Sequence, residues 1–243
     1  MSTSKTKALL SWSSGKDSAY TLFEVLKDGL YDVVGLVTTV TETFGRVSMH
    51  GVREEILDRQ AESVGIPLHK IKIPSPCPNQ LYEEKMETFL RSMKQEGVTH
   101  VIFGDLFLEN LRRYREQNLA KLGLQGVFPL WLRDTKGLAL KMIEDRFEAV
   151  ITCIDPKKLP KKFCGSAFDH KFLASLPPHI DPCGENGEFH SMVHAAPIFK
   201  ERIPVKVGKT VERDGFVFTD VRLIKFLHCS QSRDQKVIDD DSA

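Results

Sequence analysis

Six residues near the start of the chain, Ser13, Ser14, Gly15, Lys16, Asp17 and Ser18, concentrate more chemistry than any other short stretch. They follow the apolar run 7–12 and open the amphipathic stretch 17–29. Small residues let backbone N–H groups approach an anion, and the three serine hydroxyls add further donors. Lys16 supplies positive charge, and a helix beginning near Asp17 adds its unpaired N–H groups and partial positive end. The expected ligand is a phosphate group. A Walker A loop fails twice, because Leu10 and Asp17 stand where it needs glycine and a hydroxyl residue. A plain turn capped by Asp17 or Ser18 is the simpler alternative. It gives no use to so many adjacent polar and glycine residues after a buried strand.

A second constellation lies in D-P-C-G-E-N-G-E-F-H-S, residues 181–191. Gly184 and Gly187 bracket a turn that presents Glu185, Asn186 and Glu188 from one loop. Two carboxylates and an amide so placed suit binding magnesium, orienting an ammonium ion, or taking a proton during amide formation. Cys183 reads as a packed thiol, with only a distant helix end to favour its thiolate. His190 and His194 are four apart, a metal-binding spacing on a helix, but their segment reads as strand and loop. No metal site is expected there. His50 and Arg53, in M-H-G-V-R-E, sit at a predicted helix start near the mouth of the phosphate loop.

The elements that must hold these residues alternate strand and helix over the first ~130 positions, the rhythm of βαβ units on a parallel sheet. Strands are expected at 7–12, 32–40, 66–73 and 98–105, and helices at 17–29, 50–65, 79–97 and 109–123. Gly29 and Gly65 read as helix stops. In an open parallel sheet ligands sit outside the carboxyl ends of the strands, which is where 11–18 falls. Gly104 and Asp105 end another strand beside it. Arg112 and Glu116, four apart on one helix face, either bridge each other or face the site. Beyond 147 a strand is expected at 148–154, then irregular chain, then a hairpin around R-D-G at 213–215.

The chain has 243 residues, 34 Lys and Arg against 33 Asp and Glu, and five cysteines without a C-x-x-C pair. A net charge of +1 creates no global field for nucleic acid or anionic membrane. No stretch approaches the ~20 apolar residues of a membrane span, no secretory signal opens the chain, and reduced thiols fit a cytoplasmic protein. The expected organisation is a nucleotide-sized α/β domain over 1–130, a smaller α+β substrate-binding region over 131–230, and a flexible tail over 231–243.

At these residues the sequence resembles a known family. S-S-G-K-D-S is similar to the S-G-G-K-D-S loop of the PP-loop, or N-type, ATP pyrophosphatases, with Ser14 in place of the first glycine. Residues 103–124 and 181–191 resemble the matching segments of the diphthine-ammonia ligase family, in its shorter bacterial-type branch. That family carries C-G-E-x-G-E at 183–188, and an Arg and a Glu at the positions of Arg112 and Glu116, but its second Arg falls one residue before Arg115. The resemblance implies a HUP-like (adenine nucleotide alpha-hydrolase-like) doubly wound parallel sheet. It also implies ATP held by residues 13–18 with Gly104 and Asp105, and Mg2+ with the nucleotide.

The implied reaction adenylates a carboxylate, releases pyrophosphate, and amidates the acyl group with ammonia. Lys16, Glu185 and Glu188 would be catalytic, and Arg112, Glu116, Gly184 and Asn186 would bind substrate. The family's named substrate is diphthine on translation elongation factor 2; in a bacterial host another carboxylate must serve. Other expectations are a homodimer as the permitted assembly and no nucleic-acid partner. Two further readings remain open. One is an RNA-thiolation enzyme using Cys153 and Cys183, which the neutral charge disfavours. The other is a nucleotide-binding protein without turnover.

Overall fold

Strand β1 (Thr6–Ser11) carries Ala8, Leu9 and Leu10 with no exposed surface, so it must be covered on both faces. In the computed structural model, which describes residues 5–43, 45–47 and 49–224, β1 lies between β2 (Tyr31–Thr41) and β5 (His100–Ile102) and parallel to both. The far half of β2 pairs in parallel with β4 (Leu68–Ile73), and β5 pairs in parallel with β6 (Gln125–Val127). A two-residue strand, β3 (Arg46–Val47), runs antiparallel on the end of β2. The parallel strands therefore read β4–β2–β1–β5–β6.

Successive residues of a strand face opposite sides, and the core divides accordingly. Leu10 meets Leu22 and Val25 of α1 (Lys16–Asp28) and Ile56 and Leu57 of α2 (Glu54–Val64) in one cluster. Leu9 meets Leu90 and Met93 of α3 (Asn79–Gln95) and Leu119 of α4 (Glu109–Lys121) in the other. Helices thus cover both faces, and the winding reverses between β1 and β5. That reversal opens a crevice at the carboxyl end of β1, as the doubly wound expectation requires. Helices α1 and α2 stop at Gly29 and Gly65, whose φ angles of 66° and 80° form the left-handed caps anticipated from sequence.

The second sheet is antiparallel, in the order β8–β7–β10–β9, from β7 (Glu148–Ile154), β8 (Phe189–Ala195), β9 (Val205–Arg213) and β10 (Phe216–Leu223). Asp214 and Gly215, both at positive φ, close the β9–β10 hairpin. Helix α5 (Thr135–Glu144) leads into β7, and a short α6 (His170–Ser175) interrupts a region that reads from sequence as irregular. The expected tail, 231–243, lies outside the described residues. Among the described residues no helix is long and apolar enough to cross a membrane.

The two sheets are joined by more than chain connectivity. Residues from α1, α2, α5, β7 and β8 form one buried cluster, in which Tyr20 meets Phe147 edge-on at 5.1 Å. The Tyr20 hydroxyl donates to Asp145 at 2.8 Å, spanning the same junction. Asp220 of β10 accepts from Arg46 at 2.8 Å, from Arg53 at 2.9 Å, and from Arg222 on its own strand at 2.8 Å.

Candidate functional site

The loop after β1 is held from both halves of the chain. Gln60 of α2, fully buried, accepts from the Trp12 indole at 3.0 Å and donates to the carbonyls of Ser14 and Val193 at 3.2 and 2.7 Å. The Val193 amide of β8 also donates to the Ser14 carbonyl, at 3.0 Å. These bonds fix Ser14 at φ 71°, a left-handed conformation that glycine adopts freely and serine does not. Serine thus replaces the family pattern's glycine at a position where the glycine angle is kept. Its hydroxyl is buried and has no hydrogen-bond partner.

Hydroxyls occupy the amides that face the crevice. Ser18 Oγ accepts from Ser13 N at 3.3 Å, Ser13 Oγ accepts from Gly15 N at 3.3 Å, and Ser191 Oγ accepts from Lys16 N at 3.2 Å. A hydroxyl can rotate to donate, so each is suited to turn toward an arriving anion. Gly15 is the N-cap of α1, without a side-chain cap bond, so neither Asp17 nor Ser18 caps the helix. Gly104 is confined by this helix: a Cβ there would lie 3.0 Å from the Asp17 carbonyl carbon and from Thr21 Oγ1.

Lys16 is 2% exposed, and its ammonium is fully engaged. It donates to both Asp17 oxygens, at 3.0 and 2.9 Å, and to the Cys183 carbonyl. Burial by itself lowers its pKa, but the paired Asp17 turns the shift upward and keeps the ammonium charged. The phosphate-loop lysine therefore rests on the loop that carries the two candidate carboxylates.

Within that loop the two carboxylates diverge. Glu185 Oε1 accepts from the Leu106 amide at 2.7 Å, which brings it to the end of β5. Burial, with Asp17 and Asp105 as negative neighbours, pushes its pKa up to about 7. Glu188, 3% exposed, bonds inside its own loop, accepting from Asp181 N and Asn186 Nδ2 at 3.1 Å each. Its second oxygen is buried without a partner. Gly184 and Gly187, at φ 74° and 76°, make the reversals that part the two side chains. Asn186 is exposed, and its carbonyl accepts from Lys158. Cys183 is buried with its thiol donating to Thr135 O, and burial raises its pKa. Burial likewise pushes Cys153, on β7, up to about 12, so neither sulfur is an ionised nucleophile at neutral pH.

Asp105 is not a free ligand. Arg115 grips it with two hydrogen bonds, at 2.6 and 3.2 Å, and stacks on Phe103 at 4.3 Å. Arg112 and Glu116 bridge each other at 2.8 Å on a half-exposed helix face, with the Arg112 guanidinium 4.7 Å from both Phe128 and Trp131. Arg53 turns to Asp220, away from the place expected for it, whereas His50 does reach the loop. The His190 ring meets that of His50 at a tilt, while His194, further along β8, neighbours Arg202 and Glu148.

Sequence reasoning did not single out Gln60, Asp181 or Ser191. Each acts through contacts more than a hundred residues away in sequence or through a single backbone amide, and no local pattern marks either. Only Asp181 and Ser191 had a signal, since they open and close the 181–191 segment.

Comparison with known proteins identifies the family. Residues 5–126 match the diphthamide synthase N-terminal domain, and residues 134–225 match the diphthamide synthase C-terminal domain. The diphthine–ammonia ligase of Homo sapiens is 26% identical over 237 residues, covering 88% of this chain and 88% of the relative. That of Schizosaccharomyces pombe is 27% identical over 219 residues, covering 82% of this chain and 36% of the longer relative. A solved structure described as a predicted subunit of tRNA methyltransferase from Methanocaldococcus jannaschii aligns at 17% identity, with a TM-score of 0.44, over 79% of this chain and 98% of that one. With both of its halves matched in order, the chain belongs to the diphthamide synthase family.

Proposed function

We propose that this chain is an ATP-dependent, AMP- and pyrophosphate-forming ligase that amidates a carboxylate with ammonia, its 1–130 segment binding ATP and its 131–230 segment the acceptor. The observation that carries this reading is the meeting of Lys16 with the loop that delivers Glu185. A cation for leaving pyrophosphate and a base for an incoming amine thereby stand in one crevice. Diphthine–ammonia ligase is the printed name of the relatives, so diphthine and other carboxylates of similar chemistry are the acceptors to try.

In the proposed sequence a carboxylate oxygen attacks the α-phosphorus of ATP, and the bond from that phosphorus to the β-phosphate bridge breaks. Pyrophosphate leaves with its charge offset by Lys16 and the amides of residues 13–16. Ammonia then attacks the acyl carbon, AMP departs with the oxygen it gained, and Glu185 takes the surplus proton from nitrogen. A pKa near 7 suits that exchange at neutral pH. Glu188 positions the loop from within, and Arg115 holds Asp105 near Glu185.

Magnesium fits as a companion of the nucleotide. Among the described residues no cluster of three His, Cys, Asp or Glu side chains suits a metal. Mg2+ on a nucleotide takes most ligands from phosphates and water, with one or two carboxylates. Asp181, near Lys16 and with only one oxygen hydrogen-bonded, is the residue that would hold it. When bound, the ion would neutralise phosphate charge. The four described cysteines are free thiols, Cys153 and Cys183 among them buried, in keeping with a cytoplasmic setting.

The test is product analysis with ammonium and a pool of carboxylates. AMP, pyrophosphate and a new amide are expected together; ADP and phosphate would overturn the proposal.

A further inference from the structure

Two imidazoles remain outside the scheme above. His50 comes from the turn before α2 and His190 from β8, yet their rings meet at 4.5 Å. They meet beside the phosphate loop, since a Cβ on Gly15 would lie 3.1 Å from His50 Cε1 and equally near the Ser191 carbonyl. Ser191, the next residue after His190, is the one whose hydroxyl accepts from Lys16 N. Both rings keep partial exposure. Two rings converging on an anion loop from separate halves of the chain need a common ligand to explain their placing.

We propose that His50 and His190 are polyphosphate-contacting residues of the nucleotide site, which together take up a proton as the β- and γ-phosphates, or the leaving pyrophosphate, arrive. This rests on the ATP-dependent reading given above. The tautomer supplies the reason. His50 Nδ1 lies 3.3 Å from the Ser191 carbonyl, which only accepts, so Nδ1 carries the ring proton and Nε2 presents a lone pair. A lone pair facing a phosphate oxygen repels it. Contact through Nε2 therefore requires a second proton on the ring.

The groups facing the pair are Lys16 of α1, the Ser191 carbonyl of β8, and each other; Asp17 stands behind Lys16 as its counter-ion. In the free protein, burial and the Lys16 cation hold His50 down to about 4 and His190 well below its usual range. A polyphosphate reverses the sign of that field and favours the charged ring. The device spares the protein three adjacent cations when the site is empty. It also makes pyrophosphate release sensitive to loss of a proton.

The experiment is calorimetric titration of inorganic pyrophosphate into the full-length protein at pH 7, in two buffers with different heats of ionisation. Wild type is expected to take up about one proton more per site than the doubly substituted His50→Gln, His190→Gln protein. The double variant is expected to bind roughly tenfold more weakly, as the loss of charge-assisted hydrogen bonds implies. Nitrogen-15 imidazole shifts in the wild type, with and without pyrophosphate, give a readout that needs no variant to fold, and a gain of about one ring proton, summed over the two imidazoles, is predicted. Equal proton uptake in wild type and variant, or imidazole shifts that stay neutral on binding, would overturn the proposal while leaving the ligase reading intact. Failure of the wild type to bind either pyrophosphate or ATP would remove both.

Discussion

Replacing Ser14 by glycine is expected to stabilise the protein, although it deletes a buried side chain. At φ 71° an L-residue carries left-handed strain of ~1–2 kcal/mol. The unpartnered buried hydroxyl adds a desolvation penalty of ~1–3 kcal/mol. Against these stand the greater freedom of glycine in the unfolded chain, ~0.5–1 kcal/mol, and the lost packing of one methylene, ~0.8 kcal/mol. The balance centres on a gain of about 2 kcal/mol, or a rise in Tm of about 4–8 °C for a chain of this size. Ser14→Ala separates the two causes, since it removes the hydroxyl but keeps the strained Cβ; it should recover the desolvation penalty of ~1–3 kcal/mol alone. Thermal unfolding of the three proteins without ligand is the assay. If Ser14→Gly melts at or below wild type, serine is not strained at this position. If Ser14→Ala also melts lower, the hydroxyl has a partner that offsets its burial.

Three further outcomes are expected. Glu185→Gln should abolish the rise of amide formation with pH through about 7, since only the carboxylate form accepts a proton. The same variant should flatten the pH dependence of stability: a carboxyl pKa raised from 4.5 to about 7 stabilises below 4.5, and that contribution is lost as pH climbs through 7. Equal pH profiles for variant and wild type in rate and melting would exclude this role. Gly104→Ala places a methyl 3.0–3.1 Å from the Asp17 carbonyl group, so nucleotide affinity should fall with a loss of ~1–3 kcal/mol in stability, read by calorimetry and denaturant unfolding. Asp220→Asn leaves Arg46, Arg53 and Arg222 facing one another, and its melting temperature should drop at low salt and recover as salt is added. The wild-type contribution of Asp220, whose pKa the arginines hold down against the opposing effect of burial, should persist above its unfolded value of 3.8 and disappear only in stronger acid.

Much of the frame was legible because it rests on local rules. The apolar centre of β1, the alternation of strand and helix, and glycine stops at 29 and 65 each follow from a few neighbouring residues. The turn at Asp214 and Gly215 belongs to the same class. The site was legible as a list of loops but not as a set of contacts. Spacing put Glu185 and Glu188 in one turn, yet two positive-φ glycines send one toward β5 and fold the other back on Asp181. Helical periodicity grouped Arg112 with Glu116 and could not tell that Arg115, three residues on, would hold Asp105. Partners such as Gln60 and Ser191 become visible only when the second sheet lies against the first.

The distance along the chain between the phosphate loop and its last partner has a consequence in time. Ser191, whose hydroxyl closes the Lys16 amide, leaves the ribosome 175 residues after it. At ~5–20 residues per second the loop waits about 9–35 s for that hydroxyl, and for the Val193 contacts with Ser14 and Gln60. Over this interval the nascent chain holds a phosphate loop without its outer wall. The loop therefore completes its hydrogen bonds late and abruptly, only once β8 has been made and packed against it.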